Sequence, residues 1–396
     1  MFTQNLSDRV KTLQSSAIRE LLKHSKMEGV ISLGGGIPNP DLFDTEGLQI
    51  ALDRMMTAER TAAFQYGLSE GDPALREAIC QILASRDIAS LPDDIVVTSG
   101  SQQSLDILAR ALINPGDTIV VERPTYLAAL QVFQLAEARL ASVGTDGEGM
   151  IVDELEELVK RQRIKAVYIV PTFGNPGGVT LSAARRQQLV ALAKQYGFLI
   201  VEDDPYSEIN FTGAHYRTLK SFAQEMDAGE QVIYTSTFSK ILAPGARVGW
   251  ITLPAWLKQQ VVNLKQATDL HTSSLSQSLT RHYLETGRLN SQIDRIRAEY
   301  KKKCDALCSA LQSELGERIQ FHRPLGGMFL WAKFRYAFNT TQWLQETLKN
   351  GVVYVPGEFF YCDDPDTSTL RLSYATVSEE NLIKAAQRLN ASLPKD

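Results

Sequence analysis

One lysine, Lys240, stands among small hydroxyl residues in "TSTFSK" (235–240), directly after the apolar run "QVIY" (231–234). Seven residues on, in a Pro-Gly-rich turn, comes a second cation, Arg247. A lysine amine becomes a nucleophile or proton carrier when burial and nearby cations lower its pKa. Four other apolar runs end in comparable fashion. "DIVVT" (94–98) leads into "SGSQQSLDIL", which puts Ser101 and Gln102 at a helix start whose free N–H groups and dipole favour an anion. "TIVV" (118–121) leads to "ERPTY" and Tyr126, and "AVYIV" (166–170) to "PTFGNPGG" and Asn175. "FLIV" (198–201) leads to "EDDPY", with Asp203 and Tyr206. Singly, each has an ordinary reading: a capped turn, a wall tyrosine, Asn-Pro-Gly turn chemistry, a helix cap, a solvated lysine. Jointly they place an anion cradle, two tyrosines, an asparagine, an aspartate and a lysine at one edge of one sheet.

That sheet is the element that has to position them. The runs just quoted, with "VGWITL" (248–253), are short and rich in Val and Ile, as buried strands are. Amphipathic stretches such as 105–112 and 181–195 separate most of them. Alternating strand and helix predicts an α/β fold with a mostly parallel central sheet, covered on both faces and connected by right-handed crossovers. In such sheets ligands bind beyond the carboxyl ends of the strands. From about 285 the pattern changes to a long helix (290–315), strands at 328–334, 352–355 and 369–374, and a last helix (378–392). This predicts a smaller α+β domain. The expected organisation is an N-terminal arm over 1–45, a large domain over 46–285 and a small C-terminal domain over 286–396. Within the arm, "GGGIPNPDLF" reads as an irregular segment laid across a surface.

Composition removes several classes. A chain of 396 residues exceeds what one core usually supports. A net charge of −5 gives no broad field for nucleic acid or acidic membrane, so neither is expected as a partner. No apolar run reaches the length of a membrane span. "MFTQNLSDRV" lacks the basic and apolar regions of a secretory signal, so a cytoplasmic protein is expected. The four cysteines are too few and scattered for a disulfide framework, and the five histidines lack ligand spacing, so no metal is expected. Cys304 and Cys308 lie one turn apart on the long amphipathic helix, where a buried structural place is the simpler reading than a shared metal. No G-x-x-x-x-G-K-[ST] occurs, and no G-x-G-x-x-G follows the first strand.

Over nearly its whole length the sequence resembles the class I, fold-type I aminotransferases that use pyridoxal 5′-phosphate, in the branch of 2-aminoadipate, kynurenine and aromatic aminotransferases. The resemblance runs through "SSAIRELLK", "QYGLSEGDPALREAI", "TSGSQQSLD", "PTFGNPGG", "VEDDPY", "STFSKILAPGARVGW", "GGMFLW" and "TLRLSYA". It implies that Lys240 is the Schiff-base lysine and proton carrier, and that Asp203 pairs with the coenzyme's pyridine nitrogen. It implies that Asn175 and Tyr206 bond the ring's phenolic oxygen and that Tyr126 stacks on the ring. Ser101, Gln102, Thr237, Ser239 and Arg247 would hold the phosphate, joined by Tyr66 from the partner subunit of a homodimer with shared active sites. Arg371, opposite in pleat to Leu370 and Leu372, would take the substrate α-carboxylate, with Asn175 beside it. Gly36 either lets the backbone approach the substrate or simply turns the chain. Ser16 and Arg19 fall where the branch meets the distal end of its substrate, and equally fit an ordinary helix surface.

The family's branch often carries serine where Thr237 stands, and "NPTG" where this chain has "NPGG". The implied activity is transfer of an amino group from an aromatic, 2-aminoadipate-like or branched-chain amino acid to a 2-oxo acid such as 2-oxoglutarate, by ping-pong. A β-lyase or decarboxylase on the same scaffold is the alternative. A regulator using it as a ligand sensor would carry an added basic DNA-binding domain, and 1–45 show no helix-turn-helix pattern.

Overall fold

The computed structural model describes residues 2–11 and 27–394. After a two-residue strand β1 (Ile31–Ser32), the chain builds an eight-stranded sheet. Its strands are β2 (Ile95–Thr98), β3 (Thr118–Arg123), β4 (Arg139–Asp146), β5 (Gly149–Met150), β6 (Ala166–Ile169), β7 (Leu199–Asp203), β8 (Val232–Thr237) and β9 (Gly249–Thr252). They lie in the order β2-β9-β8-β7-β6-β3-β4-β5. Strands β4, β3, β6, β7 and β8 are mutually parallel. Strand β9 runs antiparallel to both β2 and β8, so β2 points the same way as the parallel set. The carboxyl ends of β2, β3, β6, β7 and β8 therefore share one edge, as the alternation of strands and helices predicts.

Both faces of the sheet are covered. Ile119 and Val121 join one apolar core and Val120 another, as alternate residues of a strand must. Helices Ser101–Leu112, Leu127–Leu135, Val152–Arg161, Ala183–Tyr196 and Leu219–Glu225 provide the covering layers. Strands β4 and β5 are absent from the sequence reading. Strand β4 is partly exposed along most of its length and ends in Gly-Thr-Asp, so it lacks the unbroken apolar run that marks the others.

The C-terminal part forms a second, antiparallel sheet in the order β10-β11-β14-β13. Its strands are β10 (Ile319–Phe321), β11 (Phe329–Phe334), β13 (Val355–Pro356) and β14 (Thr369–Ser373). The segment expected as one strand at 352–355 is two: β12 (Val352–Val353) pairs in parallel with β1, and β13 joins β14. Tyr354 between them lets successive pairs serve different sheets. The long helix is Leu289–Leu315 and the last is Glu379–Ala391; they share one core through residues such as Tyr300, Leu307, Leu382 and Leu389. Cys304 and Cys308 are both buried there, with sulfurs 4.0 Å apart. The glycine-rich stretch after β1 is irregular until a short 3-10 turn at Pro40–Leu42, capped by Asn39. Among the described residues, no helix is long and apolar enough to cross a membrane, and no group of three or more His, Cys, Asp or Glu is arranged to hold a metal.

Candidate active site

Gly249 opens β9 between Thr98 of β2 and Thr237 of β8. A Cβ there would lie 2.8 Å from the Ser236 carbonyl oxygen and 2.9 Å from the Gly100 backbone, so only glycine lets these strand ends close together. On one side the chain turns at Gly100 (φ +83°) into the helix Ser101–Leu112, which no side chain caps. The Gln103 N–H bonds the Gly100 carbonyl at 3.1 Å, and the N–H groups of Ser101 and Gln102 at the helix start are those offered to an anion. On the other side Thr237 Oγ1 lies 2.9 Å from Ser239 Oγ and accepts the Ser239 N–H at 3.1 Å. A 3-10 turn, Phe238–Lys240, follows and aims the lysine. Arg247, in the left-handed region, reaches back and donates from Nη2 to the Ser99 carbonyl at 2.8 Å. A Cβ on Gly100 would come within 2.5 Å of that Nη2. Ser101 is half-buried and Gln102 exposed. Gln103 is the side chain that folds back: its Oε1 accepts from the Ser99 N–H at 2.7 Å and from Lys265 Nζ at 3.0 Å. Backbone N–H groups, hydroxyls and a guanidinium are thus gathered where the ends of β2 and β8 meet, a donor set suited to a phosphate.

Beside this cradle, Lys240 Nζ donates to the Gly36 carbonyl at 3.1 Å. Burial, and then the charges of Arg371 and Arg247, depress its pKa to about 8, while Asp203 opposes them. Asp203 ends β7 on the strand next to β8 and is 2% exposed. Its Oδ2 accepts from the Tyr168 hydroxyl at 2.9 Å, and its Oδ1 is buried with no partner. Burial raises its pKa to about 7, against the lowering effect of the Tyr168 hydrogen bond. Tyr206 is buried, hydrogen-bonded to Asn175 and set edge-on to Phe329 at 5.9 Å; burial pushes its ionisation far up. Tyr126 is half-buried, within electrostatic reach of Asp203, Arg371 and Arg247, and burial raises its pKa also.

Arg371 arrives from the second sheet. It is buried, with Nη1 donating to Asn175 Oδ1 and Nη2 to the Gly34 carbonyl, each at 2.8 Å. Its guanidinium carbon lies over the ring of Phe329 (4.4 Å to the centroid) and over that of Phe360 (5.0 Å), and its Nε has no partner. Burial lowers its pKa to about 10, which leaves it charged at neutrality. Gly36 stands close by; a Cβ on it would meet the Phe329 ring at 3.4 Å and Arg371 Nη2 at 4.0 Å. Lys240, Asp203, Tyr206, Tyr126, Asn175, Arg371 and Gly36 therefore converge beside the cradle of Ser101, Thr237, Ser239 and Arg247. Tyr66 does not join them within this chain: it is 79% exposed, edge-on to His271 at 5.8 Å. Ser16 and Arg19 lie outside the described residues.

Sequence reasoning missed Tyr168, Gln103 and the two phenylalanines around Arg371. Tyr168 sits inside the run "AVYIV" and reads as core filling. The available signal was its hydroxyl, because a buried phenol needs an acceptor.

Residues 31–389 match the family model described as aminotransferase class I and II. The chain is 39% identical to aromatic-amino-acid aminotransferase 1 of Thermococcus litoralis, over 100% of this chain and 95% of that one. It superposes on the kynurenine aminotransferase of Pyrococcus horikoshii, solved with PMP, with a TM-score of 0.94 at 39% identity, covering 98% of this chain and 96% of the other. It superposes on LysN, the alpha-aminoadipate aminotransferase of Thermus thermophilus complexed with N-(5′-phosphopyridoxyl)-L-leucine, with a TM-score of 0.92 at 33% identity, covering 99% and 98%. With a fold-type I architecture and a full-length match, this chain belongs to the class I and II aminotransferases.

Proposed function

We propose that this aminotransferase uses pyridoxal 5′-phosphate to move the amino group of an aromatic, 2-aminoadipate-like or branched-chain L-amino acid to a 2-oxo acid such as 2-oxoglutarate, by ping-pong. The observation that carries this reading is the unpartnered, buried Oδ1 of Asp203, next to a lysine whose amine is depressed to about 8. A buried carboxylate oxygen without a donor is unfavourable by itself and asks for a cationic N–H. A protonated ring nitrogen supplies one. The cradle at Gly100, where even a methyl group would collide with Arg247, fits the same molecule's phosphate.

In this reading Ser101, Gln102, Thr237, Ser239 and Arg247 hold the phosphate. Tyr126 covers one ring face, and Asn175 and Tyr206 donate to the ring oxygen. When bound, the coenzyme supplies an aldehyde for covalent linkage to amines and a cationic ring that accepts the electron pair left at the substrate Cα. Asp203 keeps the proton on the ring nitrogen. Arg371 takes the substrate α-carboxylate with its guanidinium fork, alongside Asn175 and the backbone at Gly36. Lys240 Nζ, whose midpoint near 8 leaves a substantial neutral fraction at physiological pH, would carry the proton between the substrate Cα and the coenzyme's C4′. The names of similar proteins support the donor class, and Arg19 and Ser16 are proposed to meet the distal end of a dicarboxylic donor.

The exposed Tyr66, flanked by exposed Phe64 (63%) and Leu68 (56%), supports a homodimer in which this tyrosine completes the partner's phosphate site. The unit boundaries 1–45, 46–285 and 286–396 are proposed on the same footing, supported by the separation of the two large sheets along the chain.

The test is borohydride reduction of protein reconstituted with pyridoxal 5′-phosphate, followed by peptide mapping. The label is expected on Lys240; a label on another lysine, or none, removes the proposal. A donor-by-acceptor panel on the same preparation then defines the substrate pair.

A further inference from the structure

We infer that Tyr168 is a positioning residue for the reaction, whose hydroxyl fixes one oxygen of Asp203 and leaves the other aimed at the ring nitrogen. This rests on the coenzyme reading above for what Oδ1 faces, and on the structure for everything else.

The placement follows from register. Tyr168 on β6 and Val201 on β7 are direct partners, and Asp203 lies two residues beyond Val201 on the same face. A diagonal neighbour at that separation is within reach of a tyrosine. The hydroxyl accordingly donates to Asp203 Oδ2 at 2.9 Å. Tyr168 is fully buried, and its ring is held edge-on by Phe133 at 5.5 Å. Phenylalanine would fill the same apolar space without bringing a polar atom into the core. A carboxylate on its own turns readily about its last bond. A donor fixed on Oδ2 stops that rotation and presents Oδ1, the atom left without a partner.

The charged and titratable groups that act on this carboxylate come from each surrounding element. They are Tyr168 from β6, Asp204 and Tyr206 after β7, Lys240 after β8 and Tyr126 after β3. Asp204 disfavours ionisation of Asp203, whereas Tyr168 and Lys240 favour it. Removing the Tyr168 hydroxyl therefore moves the Asp203 titration upward.

The experiment uses Tyr168→Phe and a second protein carrying 3-fluorotyrosine at 168, a stronger donor of nearly the same shape. In coenzyme-free protein, carboxyl-labelled aspartate is followed by 13C NMR, with Asp203→Asn giving the assignment. The expected midpoint rises by about 1–2 pH units in Tyr168→Phe and falls with 3-fluorotyrosine. In loaded enzyme, Tyr168→Phe is expected to lose roughly tenfold in kcat with KM for the amino donor unchanged, because Arg371 still holds the carboxylate. Midpoints that do not move, or that move the same way in both proteins, overturn the inference. An unchanged kcat despite the expected titrations also overturns it, since the contact would then be structural only. Failure of the borohydride label at Lys240 removes the coenzyme reading separately and leaves the coenzyme-free titration as it is.

Discussion

Lys240 is governed by opposing influences of known sign. Removal from water and the two cations Arg371 and Arg247 favour its neutral amine, and Asp203 favours the ammonium. The balance places its midpoint at about 8 instead of the ordinary value near 10.5. Only the neutral amine is a nucleophile, so reactivity of coenzyme-free protein should rise with pH through that midpoint and level off above it. Competitive labelling with acetic anhydride, read by mass spectrometry at residue 240, measures this directly. Arg247→Gln removes a cation and should move the midpoint upward; a wild-type midpoint near 10 would show that burial does not govern this amine. This behaviour was partly legible in the sequence, where a lysine among hydroxyls with an arginine seven residues on already points to an amine kept near cations. The remaining influences were not legible. Arg371 lies 131 residues away in another sheet, and the hydroxyl on Asp203 comes from inside an apolar run.

At the scale of elements, β9 decides the shape of the cradle. Its antiparallel direction between β2 and β8 lets Gly249 touch both the Gly100 turn and the strand that leads to Lys240. Gly249→Ala would press a methyl group onto backbone on two sides, and backbone cannot yield as a flexible side chain does. We expect about 1–3 kcal/mol of destabilisation, typical of overfilled cores, and weaker coenzyme affinity. Thermal unfolding with and without coenzyme checks both; an unchanged affinity would mean that the cradle tolerates separation of β2 from β8. The runs forming β2, β3, β6, β7, β8 and β9 were readable because strands buried on both faces are continuously apolar. Strand direction was not readable, because an antiparallel strand buried on both faces has the same composition as a parallel one. The split of 352–355 was equally hidden, since "VVYV" is uniformly apolar and its two halves differ only in what they pair with.

The whole molecule assembles its site from distant stretches: the irregular segment at Gly34 and Gly36, the sheet edge from Gly100 to Arg247, and Arg371 of the second sheet. Tyr66 stands apart on the surface, so the homodimer reading makes a distinctive prediction. In a hybrid of one Lys240→Ala subunit and one Tyr66→Phe subunit, the two possible geometries give different sites. If Tyr66 serves its partner's site, the subunit with intact Lys240 receives an intact Tyr66 from the Lys240→Ala subunit. That hybrid then has one fully wild-type site and one doubly defective site. If Tyr66 serves its own chain, the only site with Lys240 carries phenylalanine at 66. Losing a hydrogen bond to a phosphate weakens coenzyme binding by roughly tenfold. The first geometry therefore predicts wild-type coenzyme affinity with half the wild-type turnover per dimer. The second predicts the affinity of the Tyr66→Phe homodimer. Hybrids separated by two different affinity tags, titrated with coenzyme and assayed for turnover, distinguish the two, and the weaker affinity would remove the shared-site arrangement.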